Sequence, residues 1–257
     1  MKLAGQWIAL STIVRKEIVR FSRIWIQTLL PPVITMGLYF VIFGKLIGSR
    51  IGEMDGFSYM EFVVPGLIMM SVITNSYSNV VSSFFGVKFQ KSVEELLVSP
   101  TPNYIILLGY VLGGVCRGLL VGFVVTLVSF FFTDLSIHSL PITMTIVFMT
   151  AVVFSLAGFF NAVFARTFDD ISIVPTFILT PLTYLGGVFY SISLLPPFWQ
   201  SVSQLNPILY MVNAFRYGIL GISDIDITYA FQGVFIFIVL LTFICLHLLA
   251  RGTRLRS

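Results

Sequence analysis

Apolar residues run along this chain in long blocks separated by short polar stretches. The blocks cover about 24–46, 62–85, 104–132, 141–164, 173–190 and 228–250. A helix of ~20 residues crosses a hydrocarbon core of ~30 Å, so the pattern predicts six crossings. Residues 1–23 follow a different pattern. At 100° per residue, Trp7, Leu10, Val14, Ile18, Phe21 and Trp25 line one side of a helix, with Lys16, Arg20 and Arg23 opposite. This predicts an amphipathic helix in the inner membrane interface, basic face toward anionic lipid and cytoplasm. Such a helix serves either as an anchor or as a contact for a cytoplasmic partner.

Residues 191–227 fit neither pattern. Pro196, Pro197 and Pro207 interrupt helices, because proline lacks an amide donor and disfavours helix in the residue before it. Irregular backbone at membrane depth needs a protein or water-filled cavity around it. The segment reads as a pair of short re-entrant helices dipping in from the outer face, or as a loop lying on the headgroups. A seventh span at about 204–221 is disfavoured by charge. With six crossings, Lys2, Arg15, Lys16, Arg20, Arg23, Lys88, Lys91, Arg166, Arg251, Arg254 and Arg256 share one side, against Lys45, Arg50 and Arg216 on the other. The positive-inside rule then puts both termini and the 86–103 and 165–172 loops in the cytoplasm.

Composition agrees: 57% of residues are hydrophobic and only 10% charged, against ~25% charged in a soluble domain. The expectation is a single all-α polytopic domain over 1–257, with 1–23 interfacial, 24–250 the six-helix bundle and 251–257 a cytoplasmic tail. No cleavable signal peptide is expected. Cys116 and Cys245 sit inside apolar runs and suggest neither a disulfide nor a metal site. His138, with Asp134, and His247 fall on opposite sides of the membrane and share no site, which argues against a lipid-modifying enzyme.

In the 86–110 loop, Phe89, Val93, Leu96 and Leu97 form one apolar face of a short helix that Pro100 and Pro102 end. Lys91 precedes Glu95 by four residues, the less favourable order for an isolated helix. The segment is either a solvated linker or a docking surface. Family likeness bears on that choice. EELLVSP at 94–100, PLTYLGGVFYSISLLPPFW at 181–199 and LNPILYMVNAFRYGILG at 205–221 resemble the ABC-2 family of transporter permeases, in order and spacing over essentially the whole chain.

The resemblance implies a type V ABC exporter-like fold: an amphipathic interfacial helix at 5–23, six spans, a cytoplasmic coupling helix at 88–99 and re-entrant helices at 191–221. It also implies a homodimer working with two separate ABC ATPase subunits that bind ATP and Mg. This chain itself is expected to be no enzyme and to hold no cofactor or metal. No G-x-x-x-x-G-K-[ST] run occurs; Gly44-Lys45 has Tyr39 where the first glycine belongs and Leu46 after the lysine. ATP hydrolysis therefore falls to a partner.

On that reading, Phe89, Lys91, Glu94, Glu95, Leu96 and Leu97 form the ATPase-coupling surface, the carboxylates meeting basic groups and the apolar residues a groove. Asp169 and Asp170 are a minor contact or an ordinary capped turn. Arg117, in the third span, costs roughly 2.5–3.5 kcal/mol to insert and must face a partner or an aqueous path. Ser71, Asn75, Ser78 and Ser82 form a polar stripe at helical spacing, with Asn75 near the depth of Arg117. Asn75, Ser78 and Arg117 are candidates for the translocation path, Arg117 receiving an anionic or zwitterionic headgroup; interhelical hydrogen bonding is the alternative. Gly186, Gly187, Phe189 and Tyr190 are candidates for an outer gate, although helix packing explains the glycines equally. Arg216 has Glu53, Asp55, Glu61, Asp224 and Asp226 as possible partners. The rival within transport, an ion-coupled carrier or channel, needs intramembrane carboxylates, and the six runs hold none away from their edges.

Overall fold

The computed structural model describes residues 3–252. Lys2, Arg254, Arg256 and the rest of the terminal tail beyond 252 lie outside the described residues. Helix α1 (Leu3–Arg23) leads through Ile24 into α2 (Trp25–Tyr39), which continues as a π-helix over Phe40–Ile47 and ends in the turn α3 (Gly48–Ile51). A two-stranded hairpin follows, β1 (Glu53–Met54) with β2 (Phe57–Ser58), closed by Asp55 and Gly56 at φ 51° and 82°. Asp-Gly is a favoured type I′ pair, a local turn signal that the helical reading passed over.

Helix α4 (Tyr59–Phe89) starts on a capping box in which Ser58 and Glu61 cap each other. Its 31 residues extend about 46 Å at ~1.5 Å per residue. Then come α5 (Val93–Val98), α6 (Asn103–Ser129), α7 (Leu140–Phe164), α8 (Phe168–Val174), a π-helix over Pro175–Leu179, and α9 (Thr180–Tyr184). After a 3₁₀ turn at Ile192–Leu194 the chain forms α10 (Pro197–Gln204), α11 (Pro207–Leu220) and α12 (Ile227–Arg251).

Among the described residues, four stretches are long and apolar enough to cross a membrane: Trp25–Gly44, Asn103–Ser129, Leu140–Phe164 and Ile227–Arg251. Helix α4, the expected second span, has ample length but carries Ser71, Thr74, Asn75, Ser76, Ser78, Asn79, Ser82 and Ser83. It is the centre of the bundle, with α6 and α7 against it. Glycines set the spacing. A Cβ on Gly122 would come 2.6 Å from the Val72 side chain, and Gly114 and Gly118 press on Ser76; Gly158 of α7 lies as close to the Tyr77 carbonyl. Small residues that let backbones approach are how helices associate where lipid removes the hydrophobic drive.

Three expectations change. The fifth span, expected over 173–190, is instead the α8–π–α9 rod. Its helix stops at Tyr184, because Pro175 and Pro181 remove amide donors and Gly187 turns left-handed at φ 71°. The helix expected over 88–99 is two pieces. Residues 88 and 89 finish α4, Lys91 adopts φ 61°, and only Val93–Val98 is a separate helix. The basic side of α1 does not face lipid and cytoplasm throughout: Arg20 turns into the bundle. Over 191–221 the two short helices are present, α11 deeply buried and α10 largely exposed.

Candidate functional site

Three places gather polar or charged groups: the open edge of α4, the junction of α1 with α4 and α6, and the turn around α5.

On α4, α6 covers Val72, Ser76 and Val80, and α7 covers Tyr77 and Val81. Helix α1 reaches Asn79 and Ser83. The edge left open carries Thr74, Ser78 and Ser82 at four-residue steps. The α8–π–α9 rod touches α4 at its start, and the turn that follows the rod touches α4 again at the outer end. Phe85 and Phe168 meet with ring centroids 5.0 Å apart, and a Cβ on Gly66 would lie 2.6 Å from the Val188 carbonyl. The rod itself buries only Thr183, and Phe177 is 72% exposed. Its Ser172, Thr176 and Thr180 are exposed and also step by four. The rod runs antiparallel to α4, so Ser82 and Ser172 follow the Phe85–Phe168 contact by about one turn. Two hydroxyl stripes therefore start at similar depths from the Phe85–Phe168 contact. Ser82 and Thr74 donate to the carbonyls of Ser78 (2.7 Å) and Met70 (2.9 Å), and Thr180 to that of Pro175 (2.9 Å). Back-bonding leaves their oxygen lone pairs facing outward as acceptors.

At the second place, Glu17 is 0% exposed and accepts from Arg20 Nη2 at 3.0 Å and from Ser83 Oγ at 2.5 Å. Arg20 also donates to the Asn79 carbonyl (3.0 Å) and to Asn79 Oδ1 (2.7 Å). The carboxylate and its arginine thus fasten α1 to α4. Sequence reasoning missed Glu17, Asn79 and Ser83; the available signal was a lone acid between Lys16 and Arg20 on an otherwise basic helix. Arg117 lies at the same junction. Asn75, proposed beside it, donates instead to the Ser71 carbonyl of its own helix at 3.0 Å.

Around α5, Phe89 belongs to the last turn of α4 and stacks on Phe85 and Phe168. Leu96 and Leu97 are half-buried against the core rather than displayed. Glu94 and Glu95 are exposed. Glu95 lines an inner cleft of about 500 Å³ with Lys16, Thr12, Gln90, Ser92 and Tyr110. Lys88 reaches from the end of α4 to the carbonyls of Val163 (2.5 Å) and Ala165 (2.7 Å), closing the end of α7. Asp169 is exposed, while Asp170 caps α8, accepting from the amides of Arg166 (2.7 Å) and Thr167 (3.1 Å). Those amides hold its carboxyl below the usual carboxylate range.

At the outer end, the Phe189 ring meets Phe43 at 4.8 Å, Tyr184 at 5.6 Å and Tyr39 at 6.0 Å. Tyr59 Oη donates to the Phe189 carbonyl at 3.1 Å, and Gly186 packs on Ile208. Tyr190 is half-buried beside them. Arg216 pairs with none of the expected carboxylates. It donates to the carbonyls of Gly187 (2.6 Å) and Phe62 (3.3 Å) and lies 3.8 Å from the Phe62 ring centroid. Asp224 instead accepts from Ser191 Oγ and the Ile192 amide. Arg216 ties α11, the start of α4 and the Gly187 turn into one outer unit.

The chain is 63% identical over 251 residues to the inner membrane transport permease YadH of Escherichia coli K12, covering 98% of each chain. It is 22% identical to nodulation protein J of Neorhizobium galegae over 95% of this chain and 93% of that one. Nodulation protein J of Rhizobium leguminosarum is equally similar. The model of the ABC-2 type transporter family matches residues 8–220. With that match spanning most of a chain of apolar membrane-length helices, and a near-full-length relative at such identity, the chain belongs to the ABC-2 type transporter family.

Proposed function

We propose that this chain is the membrane subunit of an ATP-driven exporter in the bacterial inner membrane, with six crossings and both termini cytoplasmic. It works as a homodimer with a separate YadG-like ABC ATPase, which binds the ATP and Mg. The observation that carries this reading is the α8–π–α9 rod. A mostly apolar helix with one buried side chain is half-packed as it stands, and the hydroxyl stripes beside it are costly to leave against lipid. A second copy laid on the rod encloses those stripes, and alternating access then moves cargo between them from the inner cleft to the aromatic cluster around Phe189. Ser78 belongs to this path with Thr74 and Ser82, whereas Asn75, buried and bonded to its own helix, lies behind it. Gly186, Gly187, Phe189 and Tyr190 form its outer gate. Short outer loops, without room for a receptor domain, favour export.

The coupling surface on this reading is Glu94 and Glu95 with Lys16 and Lys91 at the rim, Asp169 beside them, and the exposed Phe89 ring. Leu96 and Leu97, packed on the core, transmit force into the bundle. The test is co-purification from native membrane of intact chain against Glu94→Lys, Glu95→Lys. Recovery of an ATPase with the intact chain and its loss with the variant is expected. Failure to recover any ATPase in gentle detergent refutes the exporter reading. The buried Glu17 supports a second reading, an ion-coupled carrier, because it is the kind of carboxylate such a carrier uses. Transport in vesicles driven by a proton gradient without ATP would favour it.

A further inference from the structure

Helices α1 and α6 run parallel in close contact. Ile13 meets Gly109 and Glu17 meets Gly113, so one turn further on Arg20 and Phe21 come level with Cys116 and Arg117. Helix α4 places Asn79 at the same level, since Ser76 meets Gly118 and Val80 meets Gly114. Two arginines thus share one junction at one level. The carboxylate there is committed: one Glu17 oxygen serves Arg20 and the other Ser83. Arg117 is left with a buried Nε that has no hydrogen-bond partner, and no described carboxylate pairs with it. The junction carries one surplus positive charge with a donor unmet, and, unlike Arg216 with its two carbonyls and aromatic face, Arg117 has among the described residues no such group to stand in for a counter-charge.

The junction is also accessible from one side. Arg20 is 29% exposed, and its Nη2 shares the Asn79 carbonyl with Ser82 Oγ, which belongs to the open stripe of α4. We propose that Arg117 and Arg20 together bind one phosphate-type oxyanion of an amphiphile, entering from the Ser82 side, with its chains in the membrane. Guanidinium forks match phosphate oxygens, and the surplus charge fits a monoanion. The same chemistry is offered by a resident phospholipid and by an anionic cargo. The inference rests on the permease reading only in taking α4 and α6 to cross the membrane.

The test uses the full chain in dodecyl maltoside, titrated by calorimetry with dioctanoyl phosphatidic acid, with dioctanoylglycerol as the phosphate-free control. Saturable binding of the phosphatidic acid alone is expected. Arg117→Gln should weaken it by about tenfold or more, the weight of one charge-assisted hydrogen bond, and Arg117→Lys by less. Equal binding of dioctanoylglycerol, or undiminished affinity in Arg117→Gln, overturns the proposal. If Arg117→Gln does not fold, the lipid pair on the unaltered chain still decides. To separate the sources, ATP-driven uptake of labelled phosphatidic acid is followed in vesicles containing the ATPase. Uptake marks the oxyanion as cargo; retention without uptake marks a resident lipid, and either supports the site. No ATPase takes part in the binding assay, so failure of the exporter reading leaves the site standing, and the reverse.

Discussion

Removing the Glu17 carboxylate should loosen α1 from the bundle, by an amount that its geometry sets. Glu17→Gln keeps volume and a donor-acceptor end but leaves Arg20 without its counter-charge. Breaking a buried ion pair from one side costs roughly 3–5 kcal/mol. Two features reduce that here: Arg20 is 29% exposed, and it keeps two bonds to Asn79 at 2.7 and 3.0 Å. A cost of about 1–3 kcal/mol is therefore expected. Arg20→Gln should cost a comparable amount, because it leaves a fully buried carboxylate with only Ser83. The double variant should be less destabilised than the two singles summed, with a coupling of about 1–2 kcal/mol. The assay is equilibrium unfolding of all four proteins in mixed micelles, together with proteolytic release of the first 23 residues. Additive single effects, with α1 no more readily cleaved, would refute the claim that this pair fastens α1 to α4.

Three further outcomes follow from other contacts. Gly118→Val drives a side chain into Ser76 and should cost about 1–3 kcal/mol by overpacking, read as a lower unfolding midpoint; a neutral result would mean α4 and α6 are not so close. Lys88→Met strips the charged donor from the carbonyls of Val163 and Ala165, a loss of about 1.5–3 kcal/mol. It should raise hydrogen exchange at the end of α7 while leaving the start of α7 unchanged. Asp170, whose carboxyl is held low by the Arg166 and Thr167 amides, stabilises the start of α8 above its unfolded pKa and loses that contribution as pH falls through its folded one. Protection of the Arg166 and Thr167 amides, taken relative to their intrinsic exchange rates, should fall in acid and lose this pH dependence in Asp170→Asn.

What was legible in the sequence was what local pattern determines. Apolar runs placed α2 with its π-helical continuation, α6, α7 and α12 within a few residues of their observed bounds. Prolines placed the break before α11, and 3.6-residue spacing drew out α1. What escaped was the pairing of faces. Of the stripe of Trp7, Leu10, Val14, Ile18, Phe21 and Trp25, Phe21 is buried, yet Trp7, Ile18 and Trp25 are exposed and the packed face of α1 is that of Ile13, Glu17 and Phe21. No periodicity announces it, because what selects that face is a pair of glycines on α6, Gly109 and Gly113, nearly 100 residues away. Charge proximity misled for Arg216 in the same way: five carboxylates shared its side, but two carbonyls and an aromatic face reached it first. Similarly, only a positive φ at Lys91 separates α5 from α4, and apolar spacing runs straight through it.

That break bears on how force would travel under the proposed function. A coupling helix continuous with α4 would act as a lever of one piece. The observed chain turns at Lys91, so α5 pushes on α4 through side chains: Val93 is buried, and Leu96 and Leu97 press on the core. Helix α4 is clamped at its inner end by Lys88 on α7 and by Phe85 and Phe89 on Phe168. Its outer end is clamped by Tyr59 on Phe189, Gly66 on Val188 and Phe62 on Arg216. Every one of these outer contacts belongs to the unit that includes the gate. A rod about 46 Å long, held at both ends, open along one hydroxyl edge and interrupted by proline only at Pro65 within its first two turns, carries a tilt at α5 along the rest of its length as one piece. The α8–π–α9 rod beside it, broken by Pro175 and Pro181, is the element free to bend. The asymmetry therefore assigns transmission to α4 and opening to the proline-bearing rod. Straightening that rod by Pro175→Ala and Pro181→Ala should slow export while leaving ATPase binding intact, and unchanged export would argue that the gate moves with α4.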